Sequence, residues 1–260
     1  MLSFEKKKII GMVHVEALPG TPLYKGSVKK IITKAVKEAL VYTESGIDAI
    51  MIENMHDVPY LKGTAGFEIA TLMAVIAYEI KRNTGLPLGI QILAGANKQA
   101  LAAALSSGAD FIRAEGFVFG HLADEGLFES DAGELLRYRK QIDAEHIKIF
   151  TDIKKKHSSH AITGDISISE TAKAAEFFLS DGVIVTGSAT GEEAKIEEIR
   201  EVKQAVKIPV LVGSGVTDKN VQRYYEIADG LIIGSYFKKG GKWQNAVDKN
   251  RVKKLISKIR

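Results

Sequence analysis

Several apolar stretches of this chain end in side chains that could do chemistry. His14 and Glu16 follow "KIIGMV", Glu53 and Asn54 close "AIMIEN", Arg113 and Glu115 sit in "FIRAEGF", and Asp152, Lys154 and Lys156 follow "IKIF". Residues two apart on a strand share a face, so each set presents its charges to one side. Two chemistries suit these residue types. Lys154 or Lys156, with its pKa lowered by burial or neighbouring cations, can attack a carbonyl as a Schiff base. Alternatively Glu53, Glu115 or Asp152 acts as general base while a lysine, Arg113 or His14 stabilises an oxyanion. No cofactor is required for either. A divalent metal is conceivable from His14, Glu16, Glu53, Glu115, Asp152 and His157, but the chain has no H-E-x-x-H or EF-hand spacing, and the identity of any metal ligands stays unknown. His121 and Asp124 read as lid residues, His157 and His160 either as general acids or as no more than the start of a loop, and Lys155 as solvent-facing.

A second group of residues suits an anion. "VGSGVTDKN" (212–220) carries Gly213, Ser214 and Gly215, "IGSYFKKGG" (233–241) carries Gly234 and Ser235, and "TGSATG" (186–191) carries Gly187. Glycines let a backbone approach phosphate closely, and Thr217 or Asp218 is placed to cap a helix whose first N–H groups would face it.

The elements that must position these residues recur as strand followed by helix. Strands are expected at 8–15, 49–54, 87–93, 111–117, 147–154, 182–187, 209–215 and 230–236. The helices following them are expected at 28–43, 66–82, 98–106, 131–143, 169–179, 192–206, 218–226 and 249–259. Continuous Val/Ile/Leu runs suit strands covered on both faces, and eight such units predict an α/β fold: a (β/α)8 TIM barrel forming one domain over 1–260. The first turn, "HVEALPG", is not the glycine fingerprint of a doubly wound sheet. Connections into strands are short, whereas those leaving strands two, four and five are long (55–65, 118–130, 155–167), on the face where barrel enzymes build their sites.

Composition narrows the partners. A net charge of +4 and a pI near 9.0 favour a phosphorylated small molecule and show no nucleic-acid arm. The chain has no cysteine, which excludes disulfides and thiolate chemistry. No apolar run approaches the roughly 20 residues of a membrane span, and no secretory leader is evident. The expectation is a cytoplasmic or organelle-interior protein; outer-ring helices leave room for a homo-oligomer.

"GMVHVEALPGTP" (11–22), "GIDAIMIENMHDVPY" (46–60), "GADFIRAEGFVFG" (108–120), "FTDIKKKHSSH" (150–160), "IVTGSATG" (184–191), "VLVGSGVTDKNV" (210–221) and "ADGLIIGSYFKKGGKWQNAVDKNRV" (228–252) together resemble the BtpA family, which includes SgcQ-like proteins. The resemblance spans essentially the whole chain. It implies a barrel similar to phosphate-binding aldolases, epimerases and synthases. It also implies one of two roles: a photosystem I assembly or stability factor that uses the barrel as a scaffold, or a sugar-phosphate enzyme or nucleosidase. Bacterial members carry "RVN" where this chain has Arg113-Ala114-Glu115, and "VKHA" where it has Lys155-Lys156-His157-Ser158. The resemblance therefore favours Lys156 over Lys154 and does not support Glu115 as a shared catalyst. "RAEGFVF" is closer to non-photosynthetic members, including animal ones.

Overall fold

The structure, a computed structural model, describes residues 3–187, 189 and 191–260. Ser188 and Thr190 of the third glycine-rich run therefore lie outside the described residues.

Eight parallel strands close a barrel. In chain order they are β1 (Lys8–His14), β2 (Ala49–Glu53), β3 (Leu88–Gln91), β4 (Phe111–Ala114), β7 (Lys148–Ile153), β9 (Gly182–Val185), β10 (Val210–Val212) and β11 (Gly230–Ile233). Helices α1 (Val28–Glu44), α2 (Phe67–Thr84), α3 (Asn97–Ser107), α4 (Ala132–Gln141), α5 (Ile168–Phe177), α6 (Ile196–Ala205), α7 (Val221–Ile227) and α8 (Lys249–Ile256) alternate with them. The Val/Ile/Leu runs form strands because both faces are covered: every residue of β2, for example, is buried.

Strand alternation sorts the side chains into two cores. Outward-facing residues such as Ile9, Ile50, Ile90 and Ile112 pack under the helices. Inward-facing Ile10, Met12, Met51, Phe111, Phe150, Ile184, Leu211 and Ile232 fill the barrel. The two inner phenylalanine rings meet edge to face at 5.5 Å. Gly89 makes room for them, since a Cβ there would lie 2.1 Å from the Phe111 ring. Two residues beyond this apolar layer, the same period brings His14, Glu53, Gln91, Arg113, Asp152, Gly213 and Gly234 to the inward position. The polar mouth is thus a consequence of strand periodicity.

Two features were not expected. The long loops after β4 and β7 build a small antiparallel sheet from β5 (His121–Ala123), β6 (Gly126–Phe128) and β8 (Ser158–Ser159). The helix expected at 218–226 starts later, at Val221. Asn220 precedes it, and its Oδ1 accepts from the Thr217 N–H. Neither Thr217 nor Asp218 caps α7, so the amides after β10 belong to a turn and not to a helix end.

Candidate active site

At the strand exits Arg113 and Asp152 form a bidentate pair, with Nε and Nη2 each donating to both carboxylate oxygens at 2.9–3.2 Å. Both side chains are buried. Burial works against the Arg113 charge, but Asp152 and Glu53 overcome it and hold the guanidinium above its ordinary range. This pair forms the floor of the mouth.

His14 and Glu53 stand beside it, 3.9 Å apart between Nε2 and Oε2. The carbonyl of Trp243 lies 2.9 Å from His14 Nδ1. That carbonyl can only accept, so Nδ1 carries the proton and Nε2 faces the mouth as an acceptor. Burial, then the Lys238 charge, keeps His14 well below its ordinary pKa and hence neutral. Burial raises Glu53, with Arg113 and Lys156 pulling the other way. Burial, then Arg113, lowers Lys156, whose ammonium has no hydrogen-bond or ion-pair partner among the described residues. A neutral imidazole, a carboxyl that resists ionisation and a lysine that resists protonation therefore share one site.

The chain reversal after β7 decides which lysines enter. Lys154 has φ +49°, and the alternation of the strand stops there. Its Nζ turns away and donates to Thr163 O at 2.9 Å, so the structure does not bring Lys154 to the reacting groups. Lys155, expected in solvent, is 9% exposed. It pairs with Glu115 at 3.3 Å and Glu125 at 3.9 Å and lies over the Phe128 ring. Burial raises the Glu115 pKa and Lys155 opposes it. His121 stacks on Phe128, and His160 Nε2 meets Lys155 O at 2.9 Å, so both serve the small sheet. His157 and Asp124 line the mouth.

The mouth has two lobes that share Glu53, Met55, Arg113 and Lys156. The first, about 170 Å³, is lined by Gly213, Ser214, Gly215, Gly234 and Ser235, together with Gly191, Tyr236 and Arg251. Gly187 does not line it. A Cβ on Gly187 would lie 2.4 Å from Glu192 O, so this glycine serves packing of the 192–193 segment. Gly215 meets the same segment, with φ +68° and 2.3 Å from a Cβ to Glu192 O. The N–H groups of Ser214, Gly215, Val216, Ser235 and Tyr236 donate to no acceptor among the described residues. Ser214 and Val216 are buried, and buried N–H groups are nearly always paired. Arg251, on the first turn of α8, stacks on the Tyr236 ring at 4.3 Å and forms no ion pair among the described residues. Sequence reasoning missed Arg251, Gln91 and Trp243. The start of a helix directly after the last strand-exit loop was the available signal for Arg251.

The six residues considered as metal ligands are not gathered. Glu16 pairs with Lys34, Asp152 is taken by Arg113, and among the described residues no group of three His, Asp or Glu side chains could hold an ion.

Fold and site define a (β/α)8 barrel with a polar, two-lobed mouth at the carboxyl ends of its strands. The chain belongs to the BtpA family, whose sequence model matches residues 5–260. An uncharacterised Caenorhabditis elegans protein described as mitochondrial is 49% identical, covering 100% of this chain and 95% of its own. The photosystem I biogenesis protein BtpA of Synechocystis is 32% identical, covering 95% and 86%. Among solved structures, orotidine 5'-monophosphate decarboxylase from Methanocaldococcus jannaschii superposes with a TM-score of 0.61 at 16% identity over 96% of this chain and 97% of that one. Thiamine phosphate pyrophosphorylase from Pyrococcus furiosus gives 0.58 at 15% over 98% and 96%. At such identity these two speak for the fold alone. Among the described residues no helix is long and apolar enough to cross a membrane.

Proposed function

We propose that this barrel is an enzyme acting on a phosphorylated sugar or nucleoside-like metabolite, through acid–base chemistry at the atoms next to Glu53, His14 and Lys156. One observation carries the reading. Backbone N–H groups from two neighbouring strand exits that donate to no acceptor among the described residues, and an arginine that forms no ion pair among them, line the same cavity as the titratable trio. Such an array suits a phosphate dianion. The names of the two structural neighbours, both concerning phosphorylated compounds, agree with it.

With the phosphate held by Ser214, Gly215, Ser235 and Arg251, the adjoining carbons lie over the Arg113–Asp152 floor. Neutral His14 Nε2 or ionised Glu53 removes a proton, and protonated Glu53 returns one. Lys156 stabilises the developing oxyanion or, as free amine, adds to a carbonyl. Epimerisation, aldol cleavage and glycosidic hydrolysis each fit this set. Replacing Lys156 with Ala is expected to abolish turnover and leave phosphate binding intact; unchanged turnover removes Lys156 from the mechanism. Borohydride trapping of a covalent adduct at Lys156 separates the Schiff-base role from the electrostatic one.

A binding-scaffold role is the second reading. Phe177 and Leu179, 81% and 68% exposed, form an apolar edge at the end of α5, and one relative is named for photosystem I biogenesis. A thermal-shift panel of inorganic phosphate, pentose and hexose phosphates, nucleoside monophosphates and their unphosphorylated counterparts decides between the two. Each member is run with and without Mg²⁺ or Zn²⁺. Stabilisation that disappears with the phosphate supports the enzyme. No shift with any member at millimolar concentration favours the scaffold.

A further inference from the structure

The phosphate site proposed above uses the first lobe of the mouth and leaves the second free for the rest of a ligand. That lobe holds about 180 Å³ and opens into the first across Glu53, Met55, Arg113 and Lys156. A ligand anchored by phosphate in the first lobe therefore extends past the titratable trio into the second. What lines it determines what the ligand's other end must be.

Gln91, on β3, is 1% exposed and lines this lobe. Its Nε2 donates to Glu115 Oε1 at 3.1 Å. A carboxylate can only accept, so this bond fixes which way round the amide sits. Its Oε1 has no partner among the described residues. A buried carbonyl oxygen without a donor is costly, and native structures rarely leave one. The surrounding groups do not supply that donor. Glu115, Asp124 and Glu125 are acceptors, and the Tyr60 hydroxyl already donates to Met55 O at 2.8 Å. Lys155 is engaged by Glu115, Glu125 and the Phe128 ring. An anionic group entering here would meet four carboxyl side chains, those of Glu53, Glu115, Asp124 and Glu125, while Arg113 and Lys155 are already paired and Lys156 alone among the lobe's Lys and Arg side chains lacks an ion-pair partner among the described residues. A hydroxyl would meet acceptors.

We infer that the second lobe recognises the hydroxyl-rich, uncharged end of the ligand. The substrate class is then a sugar monophosphate with free hydroxyls, in preference to a bisphosphate or a phosphorylated acid. The inference rests on the phosphate reading above. It also gives the small sheet a purpose: Asp124 and Glu125 sit in the turn between β5 and β6, so the two long loops supply the recognition wall.

Calorimetric titration of the full chain with inorganic phosphate, D-ribose 5-phosphate and D-ribulose 1,5-bisphosphate tests it. Ribose 5-phosphate is expected to bind at least about tenfold tighter than phosphate, the worth of one or two added hydrogen bonds to charged acceptors. The bisphosphate should gain nothing over phosphate. Gln91→Leu should erase the sugar advantage while phosphate affinity changes less than about twofold, as expected when only the second lobe is altered. Asp124→Asn, on an exposed turn, gives a second reading should the buried variant fail to fold, and should reduce the advantage in the same way. The inference is overturned if the bisphosphate binds tightest, if phosphate binds without any sugar advantage, or if both folded variants keep that advantage. Failure of the phosphate reading looks different: neither inorganic phosphate nor ribose 5-phosphate binds the wild-type protein.

Discussion

Arg251 tests the phosphate lobe at the level of a single residue. Like Lys156 it lines that lobe without a carboxylate partner among the described residues, and its guanidinium is oriented by Tyr236, whose carbonyl accepts from Nε at 2.5 Å. Arg251→Met is expected to weaken inorganic phosphate binding by about tenfold, the worth of one charge-assisted contact. Arg251→Lys keeps a charge but not the planar fork and should fall between. Titrations at low and high salt check this, since the arginine's share should shrink with ionic strength; equal affinity in all three proteins would remove Arg251 from the site. His14, Glu53, Arg113 and Asp152 could all be read from the sequence, because the strand period places them inward just above the apolar layer. Lys155 could not. Its inward turn depends on the positive φ of Lys154, which ends the alternation and which no residue type announces. For Gly187 the composition misled: its closeness to a backbone is real, but that backbone is the chain's own 192–193 segment.

At the level of elements, the last strand is tied to the first helix by one buried ion pair. Lys238, after β11, is 0% exposed and its Nζ lies 2.7 Å from Glu38 Oε2 on α1. Burial lowers the Lys238 pKa and Glu38 opposes the drop. The pair holds the segment that carries Ser235 on one side and Trp243 on the other. Lys238→Met leaves a carboxylate buried without its partner and is expected to cost about 3–5 kcal/mol. Adding Glu38→Leu should recover most of that loss, because what destabilises is the lone charge. Urea unfolding of the two variants decides, and a double variant no better than the single one would contradict the argument. Eight strand–helix units were legible because buried parallel strands read as apolar runs. The small sheet was not, since strands of two or three residues carry no period to detect. The late start of α7 was hidden for a related reason: the Thr217–Asn220 turn uses the same residue types that cap helices.

For the whole molecule, buried and half-buried histidines and carboxyls set opposing pH dependences. Burial, with Lys155 and His160 adding to it, holds His121 at about 4, and burial with Lys34, Lys238 and Lys25 holds His56 at about 4. Below the ordinary histidine value of about 6.5 the unfolded chain takes up these protons and the native protein does not. The histidines therefore contribute stability that is full above that pH and is lost as pH falls toward 4. Asp131 runs the other way. Burial raises it from 3.8 to about 6 against its bond from Asn97 Nδ2, so the native carboxyl keeps a proton the unfolded chain has already released. Its contribution is lost as pH rises through the same window. The wild-type profile between about pH 4 and 6 should accordingly be shallow, each group being worth at most on the order of 1 kcal/mol per pH unit. Asp131→Asn removes one side of the balance and should make stability climb more steeply with pH. His121→Phe removes the other and should flatten or invert the climb. Any packing change at position 121 shifts a curve without tilting it, so the slope of unfolding free energy against pH isolates the titration. Curves for the His121 variant that run parallel to wild type would show that this imidazole gains its proton equally in both states, and would contradict the burial of its ring beneath the small sheet.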